Sequence, residues 1–199
     1  MLFMIFSLIG ASSSNKTTIA ARVLGDLREA SLSVEFVPET ARTFIAKRRI
    51  HLSLNPKEPV NLTDEHHLEI MSSQLDYENL MVKACGDTTL VITDSSPLNS
   101  LLYFSDEIVE KDDLMVKLLE TIKKTLDRDV LYVYNPPTDF FPAKDPNRLF
   151  SKSEAKLLNE KVFTKIMPLL NKQPVVLSGN SIQRTQTATA EALKYIMGQ

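Results

Sequence analysis

Residues 2–21 constrain this chain more than any other stretch. A nearly unbroken apolar run, residues 2–9, stops at Gly10, passes through small and polar residues, and resumes at Lys16 with helical spacing. A run of that length, closed by a glycine, reads as a strand buried on both faces. The segment Gly10-Ala11-Ser12-Ser13-Ser14-Asn15-Lys16-Thr17 has the length and order of G-x-x-x-x-G-K-[ST], with Asn15 at the second glycine position. A strand, a tight turn and a helix N-terminus together aim backbone N–H groups at one point, which suits a phosphate. Lys16 is then expected to reach the β- and γ-phosphates, and the Thr17 hydroxyl to ligate Mg²⁺. The second glycine of such a loop allows a positive φ, and Asn is the other residue that enters the left-handed region cheaply. A Ser-rich turn with an incidental Lys-Thr pair is the plainer alternative.

Bulk properties bound what surrounds this loop. At 199 residues with 43% hydrophobic content, the chain can bury the core of one sizeable domain, residues 1–199. A net charge of −2 gives no overall field toward nucleic acid or anionic lipid. The single cysteine, Cys85, excludes an internal disulfide and a cysteine-only metal site, and fits a reducing cytoplasm. The apolar run 2–9 lacks the basic flank of a signal peptide and is too short to span a bilayer, so no membrane association is expected.

Downstream, apolar spacing predicts a helix over 16–30 and a strand over 34–37, ended by Pro38. A helix from Glu39 to about 49 follows. Glu39 and Arg42 share one face of it, where a carboxylate can bind a substrate hydroxyl and an arginine can hold a phosphate; a surface ion pair is the alternative. Lys47-Arg48-Arg49 suits a helix C-terminus or a nucleic-acid contact. Thr63 caps a long predicted helix, 64–85. Its His66-His67 pair is adjacent and so shares no helical face, which argues against a metal site, while Gln74 and Glu78 line a cleft or face water. A third strand, 88–94, ends in Asp94, where a Mg²⁺-associated or catalytic carboxylate is wanted beside a phosphate loop. The turn Asp94-Ser95-Ser96-Pro97 alone would also favour Asp there.

A short helix is expected over 98–104, a longer one over 112–126, and a fourth strand over 130–134. Residues 135–150 hold four prolines and no periodicity, which reads as a lid. Arg148 within it is a candidate for neutralising charge on a transferring phosphoryl group, or an exposed loop residue. A helix to about 170, a fifth strand over 174–179 and a last helix to about 196 complete the chain. Arg184, in the first turn of that helix, can stack on a base, contact phosphate or face solvent.

Five strands alternating with helices argue a three-layer α/β domain with a mostly parallel sheet. Right-handed crossovers place the loop, Glu39 and Asp94 along one sheet edge. With these pieces in order, the chain resembles P-loop kinases of the nicotinamide-ribose kinase type, in an AAA-like ATPase/kinase group common in bacteria and phages. The matching segments are the loop Gly10 to Thr18, Val37-Pro38-Glu39-Thr40-Ala41-Arg42, Gln74-x-x-x-Glu78, Asp94, and Asp145 to Arg148. The resemblance implies a P-loop kinase fold with ATP and Mg²⁺ as cofactors. It implies that Lys16 and Thr17 bind both, that Glu39, Arg42 and Asp94 face the acceptor, and that Arg148 belongs to the lid. It departs at Asn15 and at Ser95-Ser96-Pro97, and no adenylyltransferase domain is expected beside the kinase-like unit. The expected activity is γ-phosphoryl transfer to a nucleoside-like or nucleotide acceptor. The alternatives are an ATP-binding protein or ATPase without that activity, and a kinase acting on a modified base in DNA.

Overall fold

The computed structural model describes residues 4–12, 14–55, 58–105, 112–137 and 152–198. The opening run forms β1 (Met4–Ile9), buried along its whole length. Its side chains alternate between two cores, as the period of two in a strand requires. Ile5 and Ile9 join Val37, Met71, Val91 and Leu98 on one face of the sheet. Met4, Phe6 and Leu8 join Ile19, Val23, Leu27 and Ala188 on the other. Only a strand covered by helices on both faces removes every one of these side chains from water, at about 1.5–3 kcal/mol for each large apolar residue.

The remaining elements are α1 (Lys16–Glu29), β2 (Val34–Val37), α2 (Thr40–His51), α3 (Asp64–Cys85), β3 (Leu90–Thr93), α4 (Asp112–Leu126), β4 (Val130–Tyr134), α5 (Lys152–Lys161), β5 (Val175–Val176) and α6 (Ser181–Met197). The five strands lie in the order β2-β3-β1-β4-β5, and every pairing is parallel. The result is the expected three-layer α/β fold, with β1 at its centre. Helices α1 and α6 pack against one another and supply the second core. Among the described residues no helix is long and apolar enough to cross a membrane.

The structure departs from sequence expectation in three places. The short helix after β3 is a 3₁₀ helix, Pro97–Tyr103, with Pro97 at its start and the Ser96 hydroxyl accepting from Leu98 N–H. The helix expected to run to about 170 ends as α5 at Lys161, opens into a π turn (Val162–Ile166), and finishes as a 3₁₀ turn (Met167–Leu169). Pro168 explains this, because its ring collides with the preceding turn and its nitrogen cannot donate. The fifth strand keeps only two residues, as an edge strand paired on one side to β4.

Candidate active site

Register brings the carboxyl ends of the strands level. Ser7 lies opposite Thr93, Val37 opposite Thr93, and Ile9 opposite Tyr134. The turns leaving β1, β2 and β3 therefore open along one edge, and the turn after β3 sits between the other two. Backbone bonds continue past the strands, from Asp94 N–H to Val37 O at 3.0 Å and from Asn135 N–H to Ile9 O at 2.9 Å.

The loop is folded as its composition requires. Asn15 has φ 62° and ψ 26°, in the left-handed region that the second glycine would otherwise occupy. Gly10 is crowded: a Cβ there would meet Asn135 O at 2.7 Å and Ser14 Oγ at 2.8 Å. Helix α1 then starts with no side-chain cap and no acidic residue in its first turn. The contrast with α6 is informative, because there Asn180 Oδ1 accepts from the N–H groups of Ile182 and Gln183 at 3.0 Å each. The start of α1 keeps its donors and its positive dipole end for an anion. Ser14 Oγ, buried and without a hydrogen-bond partner, adds a further group suited to an anion's oxygens.

Lys16 is buried with its ammonium folded into the loop, donating to Gly10 O at 3.0 Å and Ala11 O at 2.9 Å. Burial lowers its pKa, while the negative charges of Glu39 and Asp94 oppose that shift. Thr17 Oγ1 donates to Asp94 Oδ2 at 2.8 Å across 77 residues of sequence. Burial raises the pKa of Asp94, with the Thr17 hydrogen bond and the charges of Lys16 and Arg42 acting the other way. Arg42 donates through Nε to Glu39 Oε2 at 3.1 Å and through Nη2 to Thr17 Oγ1 at 2.9 Å. Two cations and two carboxylates thus meet at the mouth of the loop.

Thr17 and Asp94 together offer adjacent hydroxyl and carboxylate oxygens, the hard donors that Mg²⁺ takes when most of its shell is phosphate and water. Among the described residues no group of three or more His, Cys, Asp or Glu could hold a metal alone. The donor set therefore fits a magnesium ion carried by a nucleotide rather than a protein-caged metal.

Other expected residues fall elsewhere. Ser12 is half-buried and hydrogen-bonded to the Tyr103 hydroxyl; Thr18 is exposed in the first turn of α1. Gln74 accepts from Thr40 N–H at 2.9 Å, at the start of α2 beside Glu39. Glu78 lies deeper, accepting from Arg128 Nη1 at 2.8 Å and Gln74 Nε2 at 3.2 Å. The structure does not bring Glu78 to the loop; it gives it a buried ion pair. Arg184 donates to Gly179 O at 2.9 Å and Asn135 Oδ1 at 2.8 Å, so its guanidinium is held by protein oxygens at the ends of β4 and β5. His66 Nδ1 accepts from Thr63 N–H at 3.0 Å as part of the α3 cap, and His67 stacks on Tyr103. Ser13, Arg148 and the lid beyond residue 137 lie outside the described residues.

Three participants were not singled out from sequence. Asn99 accepts from Gly10 N–H at 3.2 Å and donates to Leu8 O at 3.0 Å. Asn135 donates to Ser14 O from the opposite side. These two asparagines brace the loop from β3 and β4. Tyr103 ties down Ser12, and burial holds its hydroxyl pKa well above the usual range. Asn135 carried one usable signal, a polar residue directly after a buried strand.

The sequence profile of the AAA domain matches residues 5–184. The chain belongs to that family. No protein of curated function matches this chain. Among solved structures, NadR in complex with NAD and AMP-PNP is similar at 16% identity and a TM-score of 0.65, covering 100% of this chain and 50% of that one. NadR in complex with NR is similar at 17% identity and a TM-score of 0.63, covering 98% and 51%. This AAA domain thus spans about half the length of the NadR chains and shares their fold.

Proposed function

We propose that this AAA domain is an ATP-dependent kinase that transfers the γ-phosphoryl group to a hydroxyl or phosphate of a nucleoside-like acceptor. The observation that carries the reading is the Thr17–Asp94 contact at 2.8 Å, set directly behind the loop that buries Lys16. The AAA-domain family and the fold shared with NadR support it.

In this proposal the N–H groups of residues 12–17 and the Lys16 ammonium hold the β- and γ-phosphates. Thr17 and Asp94 hold Mg²⁺, which when bound spreads the charge of the phosphate oxygens. Glu39, at the rim, orients the acceptor hydroxyl and takes its proton as the acceptor oxygen bonds to phosphorus. The bond from γ-phosphorus to the bridging oxygen breaks, and its electron pair leaves with ADP. Gln74 fixes the start of α2 and so positions Glu39, and Arg148 of the lid neutralises charge on the group in transit. Asn99, Asn135 and Arg184 hold the loop's shape.

A panel of nucleosides and nucleotides, assayed for ADP release with MgATP, tests the reading. A phosphorylated product is expected, with Lys16→Ala lowering its rate by about 10²–10³-fold. Unchanged transfer in Lys16→Ala would sink the kinase assignment. Nucleotide binding without transfer to any acceptor would favour an ATP-binding role.

A further inference from the structure

The placement of Arg42 has a consequence for the metal seat. A threonine hydroxyl has one proton and two lone pairs. Thr17 gives its proton to Asp94 and accepts from the Arg42 guanidinium, at 2.8 Å and 2.9 Å. The guanidinium is held there by a second bond, Nε to Glu39 Oε2 at 3.1 Å. A magnesium ion ligated by Thr17 at about 2.1 Å would stand roughly 4 Å from that guanidinium nitrogen, which places a dication against a cation.

We propose that Arg42 and a divalent cation compete for Thr17, so that seating the metal releases the guanidinium toward the acceptor side. This inference rests on the kinase reading, because it takes Thr17 and Asp94 as the metal seat. Geometry favours a hinged release rather than a loss of the residue from the site. The Arg42 side chain is 68% exposed and has room to move, while Glu39, 28% exposed, anchors its Nε end. The same arginine then serves in turn as a stand-in cation on the Thr17–Asp94 pair and as a cationic partner for an acceptor. Metal-nucleotide entry would prepare the acceptor pocket, giving an ordered sequence of binding.

The test is the binding of AMP-PNP with EDTA and with Mn²⁺, measured by calorimetry on the full chain and on Arg42→Ala and Arg42→Gln. The readout is the factor by which Mn²⁺ tightens AMP-PNP binding, so the general loss of one positive charge cancels. Competition predicts that this factor rises about fivefold in both variants, the loss of one modest hydrogen bond to the competing group. A factor that is unchanged or smaller in both variants overturns the inference while leaving the kinase reading intact. AMP-PNP that binds none of the proteins, with or without Mn²⁺, overturns the kinase reading and the inference with it. Thermal unfolding midpoints within a degree or two of the parent show that the variants fold, as the exposure of Arg42 leads one to expect.

Discussion

Asp94 and Glu78 are both carboxylates withdrawn from water, and their surroundings give them different work. Burial raises the pKa of each. Glu78 is fully enclosed, and its two oxygens are tied to Arg128 and Gln74 by charge and hydrogen bonds. Asp94 is held by a single neutral hydroxyl, Thr17, with Lys16, Arg42 and Glu39 near enough to act on it by charge. A carboxylate enclosed by the protein, with each oxygen held by a protein donor, is a structural part. One that keeps lone pairs open beside an uncapped helix end can meet a ligand.

Substitutions should separate the two roles. Asp94→Asn is expected to lower phosphoryl transfer by about 10²–10⁴-fold. Its stability at neutral pH should hold or rise, because burial disfavours the charge that the amide removes; steady-state rates and urea unfolding of one preparation check both. A large loss of stability would instead make Asp94 structural. Arg128→Met leaves Glu78 buried without its partner, and a loss of about 3–5 kcal/mol in urea unfolding is expected, with AMP-PNP affinity retained below the transition. Asn135→Ala removes one of the two braces on the loop. It should cost about 1–2 kcal/mol in stability and weaken AMP-PNP binding several-fold, an effect that stability alone would not produce.

The pH dependence follows from the direction of the Glu78 shift. Its folded pKa lies above the ordinary value of 4.5, so the folded protein holds a proton there that the unfolded chain has released. The slope of stability against pH follows protons bound unfolded minus folded, so this group's contribution is present at low pH and is lost as pH rises from about 4.5 through the folded pKa. Asp94 contributes in the same direction. Urea unfolding across that range should therefore show a flatter decline in Glu78→Gln than in the parent, and an unchanged slope would contradict the burial argument. The smallest effect is expected at the loop's departure from pattern. Asn15 already sits at positive φ, so Asn15→Gly should change stability by no more than about 1 kcal/mol and leave AMP-PNP binding intact. A β-branched residue there should cost more than glycine does.

Much of this was legible along the chain. The loop was readable because strand, turn and helix start are consecutive, so one segment carries both pattern and context. The left-handed turn at Asn15 follows from the same local chemistry. Helix α3 was bounded correctly by Thr63 and Gly86, a cap and a break. What stayed hidden was pairing at long range. Nothing local distinguishes Glu78, bound to Arg128 50 residues away, from a polar residue facing a cleft. Arg184 reads as a ligand contact by its place in the first turn of α6, yet its guanidinium is turned onto Asn135.

The sequence by itself determined the phosphate loop, the number of strands and the two-faced burial of β1, because each depends on residues within a turn or a strand of one another. Only the tertiary structure decided which side chains the loop would meet. The order β2-β3-β1-β4-β5 sets β3 and β4 on either side of β1. That order brings Asp94 to Thr17 and Asn135 to Ser14, across 77 and 121 residues. Periodicity fixes which face a side chain takes, but crossover connections fix which strand lies beside which, and hydrogen bonds reach no further than a neighbour.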